Sequence, residues 1–379
     1  MTKPTLLTTR GPTVAEVNLR AFRDNVDVFK TIATDSGSQL MAVIKTNAYG
    51  HGVVPIGHAA IEAGADRLGV TTVEEGVLLR ENGIDVPIHL LSSINTSQVA
   101  DAVAYDLTIS VSSQELAVAV HAAALKQGKT ATVHLKLDTG LHRFGIAPEN
   151  AWDFCRSCYH LTGLYWEGIY THFSSADEGD WTTTEQQFTL FMDTILDLNE
   201  GDYNFPIKHA GASTIAMERN DMHLDMIRPG IALFGYTPEI RQQNKLTLKP
   251  VMALKSNILL VRELPPNTPV GYGGSYVTSD DEKIAIVPVG HGDGYKRALS
   301  NKGEVLVNGQ RARIAGEISL DQMMIDVTHI NDVRNGDEVV LMGEQGGDAI
   351  SARDIADKVD SIVDEVLSSL MERVPRVYK

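Results

Sequence analysis

Six polar side chains stand at or just beyond the ends of short apolar runs: Lys45, Lys136, Arg143, His172, Ser213 and Arg228. Cations and imidazoles at the ends of apolar strands are expensive unless something anionic meets them. A phosphorylated cofactor would meet that need, while charges that simply surface into solvent are the plain alternative for any one of them. The sharpest signal is AVIKTNAYGHG around Lys45. A lysine closing a buried strand has its ammonium form disfavoured, and a neutral amine is the form that makes a Schiff base with an aldehyde cofactor. The glycines that follow permit close backbone approach, and Tyr49 offers a hydroxyl.

Something must hold these groups together, and the pattern of the chain suggests what. Strand-like runs end near LMAVIK, RLGVT, IHLLS, LTISV, VHLKLDT, LYWEGIYTHF, PIKHAGAS and MIRPGIALFG, with helical stretches such as VPIGHAAIEAGA and SQELAVAVHAAALKQ between them. About eight strand–helix alternations indicate an α/β fold, a (β/α)₈ barrel, whose reacting groups belong at the C-terminal ends of the strands. After Pro238 the pattern changes to closely spaced strands, from LKPVMALKSNILLVREL through VGYGGSYVT to DEVVLMG. The expected organisation is an N-terminal segment at 1–12, the barrel over 13–238, and a mostly β domain over 239–379. One late helix is expected from Ser351 to Met371, capped by Ser351 with Asp354 three residues on.

Bulk properties narrow the classes. The chain has 379 residues and a formal net charge of -16, which disfavours nucleic acids and anionic lipid surfaces as partners. No run approaches the roughly 18 apolar residues of a membrane span, and the opening residues lack signal-peptide features, so a cytoplasmic protein is expected. Cys155 and Cys158 form a C-x-x-C, but inside a helical pattern and without a second pair. Buried structural thiols are expected there, and no metal site.

AVIKTNAYGHG resembles the cofactor-lysine motif of the alanine racemase family. LKLDTGLHRFG, YTHFSSAD, HAGAS, MIRPGIALFGY, VGYGGSY, VPVGHGDGY, SLDQMMIDV and RVPRVY resemble further family motifs in family order, from about Ala15 to Tyr378. The resemblance implies pyridoxal 5'-phosphate as cofactor, a barrel plus a β domain, and a homodimer whose active sites are shared between subunits. It implies Lys45 as the cofactor lysine and one base, and Tyr272 of the partner subunit as the other. Two bases make chemical sense, because racemisation removes a proton from one face of Cα and returns it on the other. The cofactor contacts implied are Tyr49, Arg143, His172, Ser213, Arg228, Gly230 and Ile231, with Arg228 facing the pyridine nitrogen. Arg143 also meets the substrate carboxylate, Leu320 and Asp321 line the substrate pocket from the partner subunit, and Lys136 matches a lysine that is often carbamylated.

The sequence departs from the family pattern around the pocket. Asp364 stands where a tyrosine is common and Glu317 where an arginine is; Leu320, Ser319, His291 and Ala212 replace a methionine, a cysteine, a tyrosine and an asparagine. Racemisation of alanine is the main expectation. Two acidic changes raise the alternative of a larger or more polar substrate such as serine, lysine or ornithine, with Asp364 and Glu317 as specificity residues. A pyridoxal-phosphate decarboxylase and a non-catalytic cofactor-binding protein are more distant alternatives.

Overall fold

The computed structural model describes residues 11–379. The described residues divide into two compact units, one spanning Arg20–Lys249 and the other joining residues 11–19 to Pro250–Lys379.

In the first unit, eight short strands run parallel: Gln39–Val43, Arg67–Val70, Ile88–Leu90, Thr108–Val111, Ala131–Lys136, Leu164–Tyr170, Ile207–His209 and Met226–Ile227. Each pairs with the next up to the seventh, and the eighth pairs with the first through Gln39↔Met226. Backbone bonds across the remaining gap, Asp225 N–H to Lys208 C=O at 3.0 Å and Arg228 N–H to Gly211 C=O at 2.9 Å, complete the ring. Most of these strand residues are buried, as expected for strands covered outside by helices and filled inside by side chains. The helices between the strands open on side-chain caps: Thr72 accepts from Glu75 N–H, Ser113 from Leu116 N–H and Asp180 from Thr183 N–H.

The second unit is a ten-stranded, mostly antiparallel sheet. Its strand Met252–Asn257 alternates buried and half-buried residues, so one face packs and the other is partly wet. The strand Val14–Val17 lies in this sheet, antiparallel to Met252–Asn257 and parallel to Arg376–Tyr378. The expected boundaries at 13 and 238 therefore shift. Residues 14–17 hydrogen-bond to the sheet, and the segment after Pro238 stays with the barrel through ion pairs of Arg241 and Lys245 with the enclosed Glu218 carboxylate. Asn25 adds to that hold, donating to the Leu233 and Lys249 carbonyls and accepting from the Lys249 N–H.

Two local expectations also change. The late helix is two helices, Ala352–Lys358 and Val363–Ser368, because the chain turns between them through Asp360 at φ 53°. Its cap is as expected, with the Ser351 hydroxyl accepting from Asp354 N–H and Ser351 N–H donating back to the Asp354 carboxylate. Tyr272 is not in a strand but in a tight turn between the two-residue strands Pro269–Val270 and Tyr276–Val277. Cys155 and Cys158 are buried in the helix Ala151–Cys158, and burial pushes the Cys155 thiol up to about 12, as befits structural thiols.

Asn25→Ala strands the buried Leu233 carbonyl and takes a partner from the part-buried carbonyl and N–H of Lys249. It should lower stability by about 2 kcal/mol or more in urea unfolding, with an unchanged m-value.

Candidate active site

Strand direction places the polar groups. Lys45, Lys136, His172, Ser213 and Arg228 all lie at or just beyond C-terminal strand ends, around one mouth of the barrel. The first strand ends at Val43; Lys45 follows the buried Ile44 and is itself half-buried. Directly after it Thr46, Asn47, Ala48 and Tyr49 all take left-handed backbone conformations, with φ from 50 to 57°. Four such residues without glycine cost roughly 1–2 kcal/mol each. The turn is held by Ala48 N–H to Ile44 C=O at 2.9 Å and by the Asn47 carbonyl oxygen of the side chain, which accepts from Val53 N–H at 2.8 Å. The effect is to reverse the chain within one turn and bring Tyr49 back over the mouth.

Tyr49 meets Gly230 there. A Cβ at Gly230 would stand 2.5 Å from the Tyr49 hydroxyl, so only glycine admits the contact. Gly230 N–H donates to the Ser213 hydroxyl at 3.0 Å, and Ile231 opens the next turn of 3₁₀ helix. Two hydroxyls and the Gly230 N–H thus lie together, groups of the kind that bind a small anion.

Arg228 is buried beside this cradle. It donates to the carbonyls of Thr171 at 3.0 Å and Ala210 at 2.9 Å, to His209 Nδ1 at 2.9 Å, and to His172 Nδ1 at 3.4 Å. Burial draws the guanidinium down to about 10, so at neutral pH it keeps its proton. Desolvation, then the charges of Arg228, Arg143, Lys136 and Lys45, holds His172 far below its ordinary value and neutral.

Lys136 is enclosed, with its amine donating to the Leu137 carbonyl and lying 5.5 Å from the Tyr170 ring. Burial pushes it down to about 7, with Arg228 and Arg143 adding to the push against Asp138. Arg143 is exposed, its guanidinium 5.7 Å from the Phe144 ring.

The remaining expected residues belong to the sheet unit. Tyr272 is 74% exposed, carried on a turn whose Gly271, Gly273 and Gly274 all have positive φ. A Cβ at Gly271 would also meet Met324 Cε at 2.6 Å. Leu320 is 59% exposed, and Asp321 follows it in the same loop. Glu317 is paired with Arg297 at 3.0 Å. Asp364 lies in the first turn of the helix Val363–Ser368, half-buried.

His209, His134, Glu167, Arg67 and Tyr170, the supports around Arg228, are absent from the residues expected from sequence. A signal existed: His134 precedes Lys136 by two and Tyr170 precedes His172 by two, so period-two alternation places each on the same barrel face as its partner.

Comparison with known proteins decides the family. The family model for the alanine racemase N-terminal domain matches residues 17–238 and that for the C-terminal domain 251–378. The chain belongs to the alanine racemase family. It is similar to an alanine racemase of Halothermothrix orenii (44% identical, covering 97% of each chain) and to one of Desulforamulus reducens (42%, covering 97% of this chain and 99% of that one). Among solved structures it is similar to an alanine racemase of Clostridium difficile 630 (TM-score 0.93, 34% identical, covering 98% and 97%) and to one of Streptomyces lavendulae (TM-score 0.92, 34%, covering 98% of each). The family's cofactor is pyridoxal 5'-phosphate. The residues present fit it: the cradle of Tyr49, Ser213 and Gly230 suits its phosphate, and Lys45 stands at the same mouth.

Two outcomes follow. Gly230→Ala should weaken pyridoxal phosphate binding about tenfold or more in fluorescence titration, because the added Cβ displaces the Tyr49 hydroxyl. Unmodified Lys136 loses its proton near pH 7 when folded and near the ordinary lysine value of about 10.4 when unfolded. Between those values the unfolded chain binds more protons, so stability should rise with pH across that window. Lys136→Met should flatten the rise in thermal melts.

Proposed function

We propose that the protein interconverts L- and D-alanine in the cytoplasm as a homodimer with shared active sites, by a two-base mechanism using Lys45 and Tyr272 of the partner subunit. The observation that carries this reading is full-length likeness to relatives named for alanine, with 38 to 44% identity over 97% of the chain. The readings toward serine, lysine or ornithine, toward decarboxylation and toward binding without turnover have no such support. Glu317 also speaks against a charge-selecting entrance, since Arg297 neutralises it.

Lys45 would hold the cofactor through its amine. Tyr49, Ser213 and the N–H groups of Gly230 and Ile231 would take the phosphate, and Arg228 would face the ring nitrogen without protonating it. Bound pyridoxal phosphate supplies the electron sink that acidifies the proton on the substrate's Cα. Lys45 removes or returns that proton on one face, and Tyr272 on the other. A free tyrosine, with a pKa of about 10, is a poor base near neutrality. His172 accepts from Arg228 at Nδ1, which leaves its proton on Nε2, able to donate to a tyrosine oxygen and favour the tyrosinate. Arg143 would anchor the substrate carboxylate, while Leu320 and Asp321 of the partner subunit narrow the pocket. Carbamylation of Lys136 would replace a buried cation beside Arg143 with an anion, and its lowered basicity leaves the neutral amine that carbon dioxide requires.

The dimer reading is supported by Tyr272 and Leu320, an aromatic and an aliphatic residue that their own chain leaves in the open. Among the described residues no helix is long and apolar enough to cross a membrane.

The test is chiral chromatography of L-alanine, L-serine, L-lysine and L-ornithine incubated with the holoenzyme. Alanine should dominate and Lys45→Ala should abolish turnover. Tyr272→Phe should slow turnover about 10²–10⁴-fold. Loss of optical activity from none of the four would overturn the reading.

A further inference from the structure

Behind Arg228, a series of side chains crosses the barrel interior. Arg228 Nη1 lies 2.9 Å from His209 Nδ1, His209 Nε2 lies 2.9 Å from His134 Nδ1, and His134 Nε2 lies 2.9 Å from Glu167 Oε2. Arg67 grips the Glu167 carboxylate with two N–H groups at 2.7 and 2.9 Å and donates from Nε to Gln39 at 2.8 Å. Gln39 and Arg67 open the first and second strands, so the series runs from the mouth, where Arg228 sits, to the opposite end.

The protons in this series can be placed by elimination. A guanidinium only donates, so His209 Nδ1 must be bare and its proton sits on Nε2. That proton points at His134 Nδ1, which must also be bare, leaving Nε2–H to donate to the carboxylate. A protonated His134 would need a proton on Nδ1, and His209 could face it only as an imidazolate. Both imidazoles are therefore neutral and every hydrogen bond points the same way, from Arg228 toward Glu167. The Glu167 carboxylate pulls His134 toward protonation, and burial and the Arg67 guanidinium oppose that pull. The other groups facing the series are His89, whose ring packs edge-on against both histidines, and Tyr170, stacked on His209. Both histidines are fully buried, and desolvation holds both below their ordinary range.

The backbone is shaped for this. In the pairing of the fifth and sixth strands, Val133 faces Trp166 but His134 faces Gly168, so Glu167 is the extra residue of a bulge. A Cβ at Gly168 would stand 2.5 Å from His134 Nδ1, the atom that accepts from His209. The bulge aims Glu167 inward, and the glycine leaves the space in which the two rings meet.

We propose that Glu167 is a positioning residue for the racemisation: through His134 and His209 it fixes the orientation of Arg228 against the cofactor ring, with Arg67 holding the Glu167 carboxylate in place. The role rests on the reading that Arg228 faces the pyridine nitrogen; the proton arrangement does not.

The experiment is ¹⁵N NMR of histidine-labelled holoenzyme, assigned with His134→Gln and His209→Gln, alongside racemisation kinetics. The wild type should show both rings neutral with the proton on Nε2, unchanged between about pH 6 and about pH 9. Arg67→Met should leave both rings neutral with the proton on Nε2, because His209 still donates to His134 Nδ1. Glu167→Gln should lower kcat about tenfold, the rate equivalent of one charge-assisted hydrogen bond, with KM for alanine moved far less, and Glu167→Asp should recover part of the loss. An imidazolium or an Nδ1–H ring at either position in the wild type would overturn the proton arrangement. A Glu167→Gln enzyme with unchanged kcat would overturn the positioning role. If the wild type racemises no amino acid, the functional reading has failed while the NMR result still stands or falls alone.

Discussion

A guanidinium buried at the mouth of a barrel is the constraint from which the site follows. Every hydrogen bond that Arg228 makes among the described residues goes to a carbonyl or a neutral imidazole. A buried charge without a carboxylate beside it is costly unless its donors are all met. The carbonyls of Thr171 and Ala210 and the bare nitrogens of His172 and His209 meet them, all four from the ends of the sixth and seventh strands. The carboxylate at the end of the series, Glu167, lies two imidazoles away and is itself paired with Arg67. The face of the guanidinium toward the mouth thus keeps its charge for a ligand instead of spending it on an internal ion pair, and that is compatible with holding a ring nitrogen unprotonated.

The groups around Arg228 are placed by backbone devices more than by side-chain packing. A left-handed turn carries the chain from Lys45 to Tyr49 in four residues. Gly230 allows the Tyr49 hydroxyl to approach the backbone of the next segment, and a bulge at Glu167 points an acid into the barrel. In the sheet unit, three glycines with positive φ lift Tyr272 into the open. Each device stores local strain or forgoes a side chain, and each sits where a functional group must point in a direction that regular structure does not offer.

The departures from the family pattern look different once the structure is present. Glu317, read in sequence as a lone acid replacing a base, is one half of an ion pair with Arg297. Asp364 sits in the first turn of a short helix, where a carboxylate is favoured by the unpaired N–H groups of the helix start. Both observations give the acids a local reason that does not require an unusual substrate.

By itself the sequence determined the eight strand positions, the change to a β pattern after the barrel, the Ser351 cap and the identity of the strand-end groups. These are local properties, set by apolar periodicity, turn residues and short motifs, and strand direction alone then puts Lys45, Lys136, His172, Ser213 and Arg228 at one end. Tertiary structure decided the rest. Val14–Val17 could join the sheet only through pairing with residues more than two hundred positions away. The break at Asp360 and the turn at Tyr272 depend on positive backbone angles that helical or strand periodicity does not report. The series from Arg228 to Glu167 depends on ring closure, which brings strands eight, seven, five and six into one interior, and on a bulge that moves one residue across a strand. Proton positions follow only from which atoms face one another, and that is a property of the folded barrel alone.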